Sequence, residues 1–159
     1  MSAPAPRVGV IGLGYVGLPL AAAFAEAGVP VLGLDAIQSK VDQINAGRSY
    51  IEDVPSDRLG PLTAAGLIRA TTNWDEIRQV DAVLICLPTP LDEHREPDLS
   101  AVLGAAESLA QRMRQGQRVV FDLNERQQAT SLRLGSEVDM GTPGFPQANP
   151  DSVQHPPGG

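Results

Sequence analysis

Gly12, Gly14 and Gly17 fall in the stretch VGVIGLGYVGLP with the spacing GxGxxG, after a β-branched run and at the opening of an alanine- and leucine-rich one. Each glycine answers a different need when a dinucleotide binds. The first permits a tight turn, the second lets backbone N–H groups reach a pyrophosphate, and the third lets a helix pack closely on a sheet. The N-terminus of that helix offers partial positive charge and free N–H groups to the phosphates. Asp35 stands eighteen residues beyond Gly17, at the end of a second apolar run, where a carboxylate accepts hydrogen bonds from the adenosine ribose hydroxyls. The same charge repels a 2′-phosphate, which favours NAD over NADP. FAD proteins and some methyltransferases share parts of this pattern, so it defines the fold more closely than the ligand.

A second chemically dense stretch is PTPLDEHREPDLS, residues 88–100, where Asp92, Glu93, His94, Arg95, Glu96 and Asp98 crowd among three prolines. The four carboxylates could ligate a metal, but Arg95 competes for them and there is neither EF-hand spacing nor a glycine hinge, so no metal is expected. His94 could serve as a general base, although no partner residue stands beside it. A solvated loop is the plain alternative. Placement in the fold bears on the choice. In a doubly wound sheet the first and fourth strands are neighbours at the topological switch point, and ligands bind at their carboxyl ends. If DAVLIC, residues 81–86, is the fourth strand, the loop lies beside the glycine turn and faces the nicotinamide half of the cofactor. Thr89, between Pro88 and Pro90, then has a stiffened backbone and a hydroxyl able to bond the dinucleotide. Cys86 falls within that strand and is expected to be buried and inert.

The elements that must position these residues can be read from the apolar pattern. RVGVIG at 7–12 predicts a buried strand, and YVGLPLAAAFAEAG at 15–28 a helix stopped by Gly28, with Pro19 near its first turn. PVLGLD at 30–35 predicts a second strand, and IQSKVDQINA at 37–46 a helix closed by Gly47. A short helix over 56–65, a strand LIRATT at 67–72 and a turn or short helix over NWDEIRQV follow. After residues 81–86 comes a helix from Ser100, capped by Asp98 or Ser100, then a fifth strand, QRVVFDL, at 117–123. Strands alternating with helices imply an α/β fold, a Rossmann-type doubly wound parallel sheet of about five strands and so incomplete. Residues 7–123 form the dinucleotide-binding domain in this reading. Residues 124–159, dominated in their second half by Pro, Gly and small polar residues, are expected to be a disordered tail. A sheet without its sixth strand is expected to expose apolar surface and to aggregate or fold only partly.

Composition narrows the partners. The chain has 159 residues, 42% of them hydrophobic, and a net charge of −7 with its twelve Lys and Arg scattered, which gives no basic footprint for nucleic acid or an anionic membrane. The uncharged run from Val8 to Ala25 contains four glycines and Pro19, so a turn suits it better than a membrane span. One cysteine and two histidines assemble no zinc site and no internal disulfide, in keeping with a reducing cytoplasm.

With these residues placed, the chain resembles the N-terminal NAD-binding domain of the UDP-glucose and GDP-mannose dehydrogenase family, the nucleotide-sugar 6-dehydrogenases. Its nearest branch looks like the enzymes acting on UDP-N-acetylglucosamine or UDP-N-acetylmannosamine. The resemblance rests on VGVIGLGYVGLPLA, on Asp35 followed by Lys40, on INAGRSYIEDVP and on CLPTPLDEHREPDLS, and covers about residues 7–121. It implies NAD-dependent oxidation of a UDP-sugar C6 alcohol to a carboxylate through a cysteine thioester, usually in homo-oligomers, and it places cofactor contacts on Tyr15, Val16, Asp35, Lys40 and Thr89. Bottom-up, Lys40 reads only as an exposed helix residue, and INAGRSYIEDVP has no physical role. Where the family continues with a Glu-Ser-Thr segment, this chain has FDLNERQQAT, and the domain bearing the nucleophilic cysteine has no counterpart, so no catalytic residue is assigned. A truncated or frameshifted dehydrogenase, catalytically inactive by itself, is the first expectation. A stand-alone NAD-binding or interaction module is the alternative, and a different short Rossmann oxidoreductase the third.

Overall fold

The computed structural model describes residues 5–121 and 138–139. Five four-residue strands, β1 (Val8–Ile11), β2 (Val31–Leu34), β3 (Ile68–Thr71), β4 (Ala82–Ile85) and β5 (Arg118–Phe121), run parallel to one another. Their order in the sheet is β3-β2-β1-β4-β5, the doubly wound order that the alternation predicted. All four residues of β1 and all four of β2 are buried, as expected of central strands covered by helices on both faces. That double burial is why both read as continuous apolar runs.

Helices α1 (Gly17–Glu26), α2 (Gln38–Asn45), α3 (Ser56–Ala64) and α4 (Ser100–Ala110), with a 3-10 segment at Trp74–Gln79, complete the layers. One core lies under α1, α2 and α3 and includes Leu18, Ala22, Val41, Ile44 and Leu59. The second joins the opposite sheet face to the 3-10 segment and α4 through Ile77, Val83, Val102 and Leu109. α1 begins two residues later than the sequence suggested, because the glycine turn runs through Val16. α4 begins at Ser100, as expected, but its N-cap is Leu99 and not Asp98 or Ser100, with no side-chain cap bond; Asp98 accepts hydrogen bonds from the Ser100 hydroxyl and N–H (2.9 Å), which hold its carboxyl below the usual carboxylate range.

Of the predicted fifth strand at 117–123, the structure gives Arg118–Phe121 as strand, and residues 122 and 123 lie outside the described residues. A sixth, β6 (Val138–Asp139), pairs antiparallel with it, Val119 opposite Val138. A two-residue strand was not expected from this segment; the outer backbone groups of β5 are the template it joins. The rest of 122–159, and the expectation of disorder there, lies outside the described residues. The described surface does leave Leu103 (59%) and Val120 (44%) exposed on the α4 and β5 side of the sheet.

Gln117 anchors the start of β5. Its side chain is 1% exposed, donates to the carbonyls of Ile77 (2.8 Å) and Val80 (2.6 Å), and accepts from the Arg114 N–H. Gln117→Ala removes all three bonds: the Arg114 N–H loses its acceptor, and the Ile77 and Val80 carbonyls keep only the Val80 N–H (3.4 Å) and the Arg114 guanidinium (3.1 Å). Its expected cost is about 2 to 3 kcal/mol, read from the urea midpoint at unchanged slope. A loss under about 0.5 kcal/mol would mean that water replaces the amide.

Candidate functional site

A cleft of about 590 Å³ opens at the carboxyl ends of β1, β2 and β4. This volume is within the range of small-molecule sites. Its floor is the glycine turn from Ile11 to Val16, one side is formed by Asp35, Ile37 and Lys40, and the other by Cys86, Leu87, Pro88 and Thr89. The structure therefore brings together every residue singled out as a cofactor contact in the sequence, apart from Gly17, which lies beneath the turn.

The three glycines differ in what surrounds them. Gly12 has φ +89°, and a Cβ there would stand 2.6 Å from the Cys86 carbonyl oxygen, so both the turn and the close approach of β4 require glycine. A Cβ on Gly17 would lie 1.7 Å from the Gly12 carbonyl oxygen, which is how α1 comes to lie directly on the turn. A Cβ on Gly14 would meet nothing within 4 Å; it would project into open space at the cleft. Among the described residues, none accepts a hydrogen bond from the N–H groups of Gly14, Tyr15 or Val16. Three donors at a helix N-terminus, next to a position kept clear of side chain, fit a pyrophosphate. Tyr15 is 78% exposed at the rim.

Asp35, expected from its position to meet a ribose, holds two backbone groups of its own chain. Its Oδ2 accepts the Leu13 N–H at 3.0 Å and its Oδ1 the Ile37 N–H at 2.9 Å, tying the end of β2 to the glycine turn. A carboxylate oxygen accepts more than one hydrogen bond, so both remain able to receive hydroxyl donors from the cleft. Lys40, the chain's one lysine, is half-buried, with Nζ 5.5 Å from the Tyr50 ring centroid. Trp74, the chain's one tryptophan, also lines the cleft; it was not anticipated, because nothing local to NWDEIRQV indicates that the 3-10 segment turns one ring toward the end of β2.

The loop PTPLDEHREPDLS divides in two. Its first residues, through Thr89, line the cleft as expected. Residues 90–98 form a small hairpin, with a Leu91–Pro97 bridge, the Arg95 N–H on the Asp92 carbonyl and Arg95 at φ +61°, a turn closed by a left-handed residue. Asp92 Oδ1 accepts the N–H groups of His94 (2.8 Å) and Glu96 (2.9 Å), so its carboxylate organises its own turn. Residues 90–98 are exposed, and none of them lines the cleft. Among the described residues no three of His, Cys, Asp and Glu converge as metal ligands. Cys86 is buried just past the end of β4.

INAGRSYIEDVP, which had no physical role in the sequence, has several here. Ile44 is fully buried. The Asn45 amide donates to the Ala70 carbonyl (2.9 Å) and accepts the Ala70 N–H (2.8 Å), occupying backbone groups of the outermost strand. Gly47, at φ +70°, ends α2, and the Arg48 N–H returns to the Gln43 carbonyl, a left-handed helix stop that glycine meets without strain. The Tyr50 hydroxyl then donates to the Leu13 carbonyl at 2.6 Å. Burial, and next the negative charge of Asp35, push the Tyr50 pKa upward, so the phenol stays protonated and remains a donor.

Among the described residues no helix is long and apolar enough to cross a membrane. The sequence profile of the UDP-glucose/GDP-mannose dehydrogenase family, NAD binding domain, matches residues 6–123. UDP-N-acetyl-D-mannosamine dehydrogenase of Salmonella typhimurium is 39% identical over 142 residues, 88% of this chain and 33% of that protein; this alignment is longer than the profile match. NDP-N-acetyl-D-galactosaminuronic acid dehydrogenase of Ralstonia nicotianae is 40% identical over 116 residues, 72% of this chain and 27% of that one. The structure of UDP-D-ManNAc dehydrogenase from Pyrococcus horikoshii superposes with a TM-score of 0.68 at 34% identity, covering 72% of this chain and 28% of that one. The chain thus spans a third or less of the length of these relatives. A glycine turn, an acidic β2 end and a cleft at the β1–β4 switch point coincide with the matched residues: the chain belongs to the UDP-glucose/GDP-mannose dehydrogenase family, through its NAD-binding domain.

Proposed function

We propose that residues 7–121 bind NAD as the dinucleotide half of a nucleotide-sugar 6-dehydrogenase that oxidises a UDP-N-acetylhexosamine at C6. The observation that carries this reading is the set of N–H groups on Gly14, Tyr15 and Val16 at the N-terminus of α1 that have no acceptor among the described residues, at a glycine turn that lines the cleft. When bound, NAD supplies the hydride acceptor. The chain's own residues hold it: the turn donates to the pyrophosphate, Asp35 and Lys40 flank the adenosine ribose, and Thr89 offers a hydroxyl from the β4 side. The UDP-sugar reading is supported by the acetamido-sugar dehydrogenases among the relatives.

Among the described residues no candidate for the nucleophile of a thioester step lines this cleft except Cys86, and that residue is buried. The 159-residue chain is accordingly proposed to bind NAD without reducing it. Calorimetric titration is expected to show NAD binding at least about tenfold tighter than NADP, a difference of about 1.4 kcal/mol, from repulsion between Asp35 and the 2′-phosphate. No NADH absorbance is expected with UDP-N-acetylglucosamine or UDP-N-acetylmannosamine. NADH formation by the purified chain would refute the inactive reading, and equal affinities for NAD and NADP would refute the role given to Asp35.

A further inference from the structure

Leu13 is the best-anchored residue of the glycine turn. Its side chain is fully buried, and it packs so closely on β2 that a Cβ on Gly33 would lie 2.8 Å from Leu13 Cδ1. Its N–H is held by Asp35 and its carbonyl by Tyr50, at 3.0 and 2.6 Å. The second hold comes from a segment outside the β1–α1–β2 unit: Tyr50 follows α2 and reaches back across 37 positions in sequence.

The Leu13 carbonyl and the Gly14 N–H belong to one peptide group. In a planar trans peptide the two bonds point in opposite directions, so a donor that fixes the carbonyl on one side also fixes the N–H on the other. Gly14 is one of the three residues whose N–H groups have no acceptor among the described residues, and it lines the cleft. A peptide followed by glycine rotates with little steric resistance. If it turned over, a carbonyl oxygen would replace an N–H where the phosphates arrive, and attraction would become repulsion.

We propose that Tyr50 is a positioning residue for the dinucleotide: its hydroxyl locks the Leu13–Gly14 peptide with the Gly14 N–H toward the cleft. The ring that carries the hydroxyl is itself held, half-buried beneath the Lys40 ammonium. The INAGRSYIEDVP segment is thereby part of the phosphate cradle although its backbone does not line the cleft. This inference rests on the dinucleotide reading given above.

The test uses the full chain and two variants, each lacking one hydroxyl group. Tyr50→Phe keeps the ring and removes only the donor. Thr63→Val removes a hydroxyl that donates to the Gly60 carbonyl within α3 at 2.9 Å, away from the cleft, and serves as the structural control. Each protein is titrated calorimetrically with NAD, ADP and adenosine, and its thermal midpoint is measured. Tyr50→Phe is expected to weaken NAD and ADP by about tenfold or more, the effect of misplacing one donor to a charged acceptor. Adenosine, which carries no phosphate, should bind Tyr50→Phe as it binds the wild type. Thr63→Val should lower the midpoint similarly and leave all three affinities in place. An equal loss for adenosine and ADP in Tyr50→Phe would reduce Tyr50 to a structural residue, and unchanged ADP binding would remove its role altogether. Wild-type chain that binds neither NAD nor ADP would overturn the dinucleotide reading and this proposal together, whereas wild-type binding with an unaffected Tyr50→Phe overturns the proposal alone.

Discussion

Gly17→Ala is expected to disrupt the turn itself, lowering stability by about 3 kcal/mol or more and the melting midpoint by about 10 °C or more. The added methyl would sit 1.7 Å from the Gly12 carbonyl oxygen, less than any non-bonded contact allows. Flexible side chains can move aside at small cost, but this neighbour is backbone, and Gly12 is itself fixed by its N–H bond to the Leu34 carbonyl at 2.8 Å. The helix must therefore lift from β1, and with it go the contacts of Leu18 and Ala21, both fully buried. Dinucleotide binding should vanish with the turn. Thermal melts followed by circular dichroism check the first part, and a midpoint within about 2 °C of wild type would show that the turn has more room than its geometry implies.

Gly14→Val, only three residues away, should do the reverse. Its Cβ meets nothing within 4 Å, so no packing is lost and stability is expected to stay within about 0.5 kcal/mol of wild type. The branched side chain instead fills the space through which a pyrophosphate reaches the N–H groups of the turn. NAD affinity should fall about a hundredfold, equivalent to about 2.7 kcal/mol. Calorimetry on a variant with an unchanged melt tests this directly; near-normal NAD binding would mean that the dinucleotide lies elsewhere in the cleft. Together the two substitutions separate the glycine that builds the turn from the glycine that keeps it accessible.

Much of this division was legible beforehand. Strand order followed from the alternation of apolar runs, because β1 and β2 are buried on both faces and so lack polar interruptions. The need for glycine at 12 and 17 followed from spacing, since a left-handed turn and a close backbone contact each exclude a side chain for a local reason. The hold of Asp35 on Leu13 was not legible: it joins residues 22 apart that sequence places in different elements. Tyr50 was further out of reach, its partner fixed only once α2 and its glycine stop aim the chain back at the turn. Trp74 escaped for the same reason. In the charged middle of PTPLDEHREPDLS the sequence could not show that Asp92 is engaged by backbone N–H groups of its own hairpin. Even Gln117, a polar residue heading a strand, gave no sign that it would be among the most deeply buried side chains.

The two margins of the sheet are unlike. On the β3 side the Asn45 amide occupies both backbone groups of Ala70, so a further strand would have to displace a side chain already satisfied there. On the β5 side the backbone of Arg118 and Val119 accepts a strand, and β6 takes that place. The domain is thus polarised for growth: the β3 margin is closed by a side chain, and any lengthening of the sheet proceeds on the β5 side, where β6 has already added a strand.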